Sequence, residues 1–273
     1  MEFFSNKGKN VQIECGGKQY MRHAIQTRFI NQGEDYVEVF REYVVPVYRE
    51  GDIISVSEKI IALCQNRVVR REDIKIGFWA KLLSKFASHP STGVGVGETI
   101  KMQYAIDTVG LLKVLWASFA SAVTKLFGKK GVFYEIVGIE VSGLDGFYDK
   151  VWSEYGDIGI QIPEDPSGVC NELREKLGIS CMIADANDLG QEILGYSSDI
   201  NLALEDLAKL IKDNPSGQGK ELTPIILIRP FESFEANGDT VAEPAERDDG
   251  EGEEGEEQKE QKVCEDEEAV ESE

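Results

Sequence analysis

Ile179-Ser180-Cys181-Met182-Ile183-Ala184-Asp185-Ala186-Asn187-Asp188-Leu189-Gly190 is the stretch whose reading decides the fold. Its first half is short, apolar and uncharged, the composition of a strand buried on both faces, and it ends abruptly in two carboxylates and an amide before a glycine. A core strand that stops at acids points them into a cleft, where carboxylates hold a hard divalent ion through oxygen ligands. Asn187 and Gly190 permit a tight turn above the strand end. A plainer reading of the same residues is a solvated turn in which Asp185 or Asp188 caps a following helix. A second acid turn, Gly143-Leu144-Asp145-Gly146, follows another strand-like run, so two strand ends far apart in sequence are candidates to converge on one metal.

Outward from that stretch, the chain is long enough at 273 residues to bury a sizeable core. Its net charge of -21 is unevenly spread: residues 231–273 hold 19 acids against 3 basic residues, leaving residues 1–230 with 31 acids and 26 basic residues. The acidic tail loses all periodicity and is expected to be disordered from about residue 239, where it would suit a basic protein partner. Such a charge repels phosphate backbones and anionic membrane surfaces, so neither nucleic acid nor membrane is an expected partner. Val114 to Thr124 is the longest uncharged apolar run, eleven residues between Lys113 and Lys125. A bilayer-spanning helix needs about 20, so the run reads as a buried helix. Five cysteines without paired spacing, and no signal peptide, point to the reducing cytoplasm. With only His23 and His89, a multi-histidine zinc site is excluded.

Residues 1–19 read as a loose lead-in able to add an edge strand, residues 20–230 as the body, and 231–273 as the tail. Helices are expected at 36–43, over 76–87 with Phe78, Trp79, Leu82, Leu83 and Phe86 on one broad apolar side, and from about 99 with a break at Gly110. Further helices are expected at 169–177 and 201–211. Strands are expected at 53–56, 131–141, 157–162, over the apolar first half of 179–190, and at 222–228, the last delivering Arg229 back toward the site. Lys59 and Arg67 flank an apolar run after the 53–56 strand, a pair suited to phosphate or carboxylate charge. Helices alternating with strands give an α+β or mixed α/β body around a mixed core sheet.

Between the 76–87 helix and the next lies His89-Pro90-Ser91-Thr92-Gly93-Val94-Gly95-Val96-Gly97-Glu98. Glycine at 93, 95 and 97 lets backbone amides approach an anion closely, ahead of a helix N-terminus. Glu98 stands where a dinucleotide fingerprint needs glycine and no GKS or GKT follows, so neither motif is met, and a lid or hinge explains the loop equally well.

Gly51-Asp52-Ile53-Ile54 with Ser57-Glu58-Lys59, then GLDG, PEDPSG, DANDLG and the closing TPIILIRP, in that order, resemble the gamma-glutamyl ligase family of the deazaflavin coenzyme F-420 over roughly residues 20 to 230. The resemblance implies a two-part, intertwined body forming a homodimer. It also implies a ligase that uses GTP and a divalent metal, Mg or Mn, to join L-glutamate to a small-molecule carboxylate. Its metal aspartates fall on Asp145 and Asp185, its lysine on Lys59 and its arginine on Arg67, with Asp188 as a further metal ligand and Lys59 and Arg67 as phosphate or carboxylate clamps. The chain departs from the pattern at Ala62-Leu63-Cys64-Gln65-Asn66, where the family has lysine, glutamate and glycine, and at Asp188-Leu189, which replace a Gly-Arg end. DANDLG and the DNPSGQ turn, Asp213 to Gln218, mark a divergent branch, and the acceptor is left open. Beside the ligase stand two other accounts: a protein that keeps nucleotide and metal without ligating, and an interaction scaffold built around the acidic tail.

Overall fold

The computed structural model describes residues 1–87, 98–129, 131–147, 157–187, 190–217 and 221–242. The chain divides into two units, Met1–Val241 and Ala242–Glu273, and all of the second except Ala242 lies outside the described residues. In chain order the strands are β1 (Glu2–Phe3), β2 (Gln12–Cys15), β3 (Lys18–Ile25), β4 (Ile53–Ser57), β5 (Val68–Arg70), β6 (Asp145–Gly146), β7 (Ile158–Ile160), β8 (Cys181–Asn187), β9 (Gly190–Tyr196), β10 (Ile225–Pro230) and β11 (Thr240–Val241). The helices are α1 (Tyr36–Tyr43), α2 (Glu58–Cys64), α3 (Phe78–Ser84), α4 (Thr99–Val109), α5 (Leu111–Leu126), α6 (Val132–Val137), α7 (Ile139–Ser142), α8 (Pro166–Leu177), α9 (Leu204–Leu210) and α10 (Phe231–Ala236).

A mixed six-stranded sheet in the order β2-β3-β10-β4-β8-β9 forms the centre of Met1–Val241. The pleat sends alternate side chains to opposite faces. On β8, Cys181 and Ile183 pack with α1, α2 and α8 through Val37, Phe40, Ile61 and Leu173, while Met182 and Ala184 pack with α9 through Leu207 and Leu210. Both faces are thus covered, which is why the strand reads as an unbroken apolar run. Only β4 and β8 pair in parallel within this sheet, with Ser57 opposite Ala184. The crossover into β8 runs through α8, which Asp165 opens by accepting a hydrogen bond from the Gly168 amide (3.0 Å) and Gly178 closes in the left-handed conformation (φ 72°).

Several expectations are corrected. Residues 131–141 form α6 and α7 instead of a strand: Phe133, Val137 and Val141 recur every four residues and bury against Ala105, Val114 and Ala117. What looked like uneven alternation was a helical period. Among the described residues no helix directly follows Asp185; β9 pairs back on β8, so Asp185 lies in a hairpin. The helix read as buried, α5, is buried only along Val114 and Ala117. Likewise Phe78, Trp79 and Phe86 on or beside α3 are exposed. The break at Gly110 is present, with φ 87° dividing α4 from α5. Among residues 1–19, Gln12–Cys15 is an edge strand on β3.

The boundary of the tail also moves. Asp239 is buried, accepting hydrogen bonds from Arg229 Nη1 (2.7 Å) and Arg49 Nη1 (3.0 Å), and β11 pairs in parallel with β1. The folded body therefore continues through Val241. Arg229, expected to turn toward the site, is instead locked in this buried cluster, its Nε donating to Asp52 Oδ1 (2.8 Å). No described helix is long and apolar enough to cross a membrane.

Candidate functional site

The parallel pair places two strand ends side by side. Because Ser57 is opposite Ala184, the next residues, Glu58 at the start of α2 and Asp185 on β8, lie together at the carboxyl edge of the sheet. That edge is where open α/β sheets form their crevices. Asp185 in turn faces Glu192 across the β8–β9 hairpin.

Asp145 arrives from a second, three-stranded sheet in the order β5-β7-β6, with Asp145 opposite Ile160 and Ile160 opposite Val68. Lys59 in the first turn of α2 links the two sheets: its Nζ is 2.8 Å from Asp145 Oδ2 and 3.9 Å from Glu58 Oε1. Lys59 is 33% exposed and Asp145 27% exposed, so the pair is open to solvent on one side. Burial disfavours the Lys59 ammonium, yet Asp145, Glu58 and Asp185 more than offset it and hold the pKa above the ordinary lysine value.

Glu58 is only 5% exposed. Burial pushes its carboxyl up to about 7; Lys59 opposes the shift, while Asp185, Asp145 and Glu192 reinforce it. Four carboxylates, Glu58, Asp145, Asp185 and Glu192, thus share one electrostatic neighbourhood with Lys59, which pairs with two of them, an excess of negative charge that a divalent cation would relieve. A second lysine, Lys101 of α4, is 4% exposed and fixes the turn that carries Asp145. Its Nζ donates to Leu144 O (2.7 Å) and Ser142 O (3.3 Å). Burial lowers its pKa to about 8, with Asp145 acting in the opposite direction.

Lys59, Asp145 and Asp185 are therefore brought into one neighbourhood. Arg67 is held nearby in chain terms, next to β5, but its guanidinium donates to Ile162 O (3.1 Å) and Glu140 Oε2 (3.1 Å). Gly93, Gly95, Gly97 and Asp188 lie outside the described residues. Among the described residues no group of three or more His, Cys, Asp or Glu side chains is set to hold a metal ion. The donors present are hard carboxylate oxygens. Magnesium-type ions are commonly bound by one or two carboxylates completed by water and substrate phosphates, so this donor set fits such an ion, not an all-protein cage.

Lys101 and Glu192 carry no motif of their own, and Glu58, though part of the Ser57-Glu58-Lys59 motif, has no role assigned to it by the resemblance. Glu58 becomes a site residue only through the β4–β8 register, Glu192 only through the hairpin, and Lys101 only through the packing of α4 on the 142–144 turn. A lysine inside an otherwise apolar helical face was the one available sign.

Sheet and site together define a mixed α/β protein with an acidic, lysine-bearing cluster where the parallel pairing of β4 and β8 ends. Residues 24–189, more than half of the chain, match the family model described as F420-0:Gamma-glutamyl ligase, and the chain belongs to that family. Membership makes it an amide-forming ligase. No curated protein matches the chain.

Proposed function

We propose that this protein uses GTP and a divalent cation, Mg or Mn, to join an amino acid such as L-glutamate to a small-molecule carboxylate through an acyl phosphate. The observation that supports the reading is that Asp145, from the second sheet, ion-pairs with Lys59, while Asp185, from the first, is near enough to raise the pKa of the same lysine. In the reaction the acceptor carboxylate takes the terminal phosphoryl group as its bond to the bridging oxygen of GTP breaks and GDP leaves, and the amine then attacks the activated carbonyl carbon. A C–N bond forms, the C–O bond to phosphate breaks, the amine proton passes to solvent and inorganic phosphate leaves.

Asp145 and Asp185 would hold the cation, with Asp188 as a third ligand, and the cation would neutralise phosphate charge as it builds. Lys59 would exchange its pairing with Asp145 for a phosphoryl oxygen, keeping one positive charge at the centre of the acids. Lys101 would keep the 142–144 turn in place so that Asp145 stays aimed into the cluster. Arg67 would clamp a substrate carboxylate from the β5 side, and the amides of Gly93, Gly95 and Gly97 would cradle phosphate. The described cysteines Cys15, Cys64, Cys170 and Cys181 are all free and buried, which suits a reducing cytoplasm.

The assay combines purified protein, GTP, Mg or Mn, L-glutamate and F420-0, then widens to a panel of carboxylates and amino acids. The reading predicts a product heavier by one amino-acid residue, formed together with phosphate. One observation favours a binder that no longer ligates: Arg67 is engaged by Glu140 and Ile162. Saturable GTP binding with no phosphate release across the whole panel would establish that reading and overturn the ligase.

A further inference from the structure

Ten of the fourteen large hydrophobic residues exposed among the described ones fall in two short stretches, 76–86 and 112–127. The same two stretches lie in the acid-free segments 74–97 and 108–134, so that all 50 acids of the 273-residue chain fall outside them. On α5, Leu112, Trp116, Phe119, Val123 and Leu126 follow one another at intervals of four and three. At 100° per residue they share an arc of about 80°. They are 84, 61, 62, 37 and 85% exposed.

On the inward side of α5 Val114 and Ala117 are buried, Leu111 and Leu115 are half-buried, and Ser118 and Thr124 donate to carbonyls of their own helix (2.8 Å each). The helix is thus amphipathic with its larger apolar side outward. Exposed lysines border it, Lys113 beside the stripe and Lys125 at its C-terminal end, where Lys129 is ion-paired with Glu135 (2.9 Å), and Lys81 and Lys85 stand among the exposed aromatics of the α3 region.

We propose that α5, supported by the α3 region, is a membrane-surface helix that lays Trp116 and Phe119 into the interface of a lipid bilayer carrying anionic headgroups. Sixteen residues give a helix about 24 Å long, suited to lying in the interface plane. Heptad-like spacing by itself also suits pairing with a second copy. The coincidence of exposed aromatics, bordering lysines and complete exclusion of acids from both segments favours an anionic surface, because a helix seam requires none of the three. Composition argued against a membrane by averaging over the chain, but charges separated by more than a Debye length of about 8–10 Å are largely screened.

The test uses the full-length protein with vesicles of phosphatidylcholine alone or with about 30% phosphatidylglycerol, read by co-sedimentation and tryptophan emission. Expected are binding at least about tenfold stronger with the anionic lipid, weakened by raised salt, and a blue shift of emission. W116Q/F119Q should lose about tenfold or more of the binding to anionic vesicles, and K113E/K125E a comparable amount, with circular dichroism melts like the parent's. Absence of binding to anionic vesicles, or binding undiminished in W116Q/F119Q, overturns the proposal. A concentration-dependent doubling of mass that W116Q/F119Q abolishes, without vesicle binding, assigns the face to a second copy and overturns it as well.

Discussion

Asp145 and Asp185 bear the chemical reading, and each is partly open to solvent, Asp145 at the start of β6 and Asp185 just past the buried part of β8. Replacing either by asparagine removes charge while keeping shape, so D145N and D185N should melt within a few degrees of the parent and lose metal-dependent turnover by about a hundredfold or more. Full activity in both would remove them from the site. Glu58 gives a pH signature. Its folded pKa of about 7 lies above the ordinary glutamate value, so as pH rises through the interval from the ordinary value to about 7 the unfolded chain has released a proton that the folded chain still holds. Stability conferred by this group is therefore lost across that interval, and the penalty is fully present above pH 7. The stability difference between E58Q and the parent should grow in favour of E58Q over the same interval, by at most about 3 kcal/mol, and then level off. Urea titrations at several pH values measure it, and a pH-independent difference contradicts the burial argument. At this scale the sequence was readable where an acid ends an apolar strand, as at Asp185. Glu58 and Glu192 were hidden because a carboxylate's neighbours across a sheet depend on register.

At the scale of elements, legibility followed local chemistry. Tyr36–Tyr43 was recognisable because Tyr36, Val39, Phe40 and Tyr43 share a face and Pro46 follows, and Asp35 caps it by accepting from the Val37 amide (2.7 Å). Residues 131–141 misled because β-branched and aromatic side chains dominate the run, while tertiary packing on α4 and α5 fixes it as helix. Gly195 shows a constraint invisible in one dimension. A Cβ there would come within 2.5 Å of the Ser167 amide nitrogen and 2.7 Å of Pro166, because α8 begins directly against β9. G195A should cost more than about 2 kcal/mol by prying α8 from the sheet. By contrast, Gly178 meets nothing within 4 Å but holds φ 72°, so G178A should cost only about 1 kcal/mol. Denaturant midpoints rank the two, and the reverse order would contradict this account of the packing.

For the whole molecule, the Arg229 cluster joins the ends of Met1–Val241: Arg229 and Asp52 are side by side in the core, and Asp239 also binds the Met1 ammonium group (2.9 Å). R229M should destabilise by about 3–5 kcal/mol because Asp52 and Asp239 are left buried with less compensation. A chain ending after Ala242 should melt like the full protein, whereas one ending after Gly238 should lose several degrees, a comparison that calorimetry makes directly. The same 243–273 deletion should leave turnover intact, since every proposed site residue lies within the body. The central claim is that Asp145 and Asp185 act on one cation. Its most direct test is Mn binding followed by electron paramagnetic resonance in the presence of GTP, for D145N, D185N and the double variant. One shared ion predicts that each single substitution weakens binding by about tenfold or more and that the double variant is little worse than either. Unchanged Mn binding in the single variants, or losses that simply add in the double, would contradict a common site.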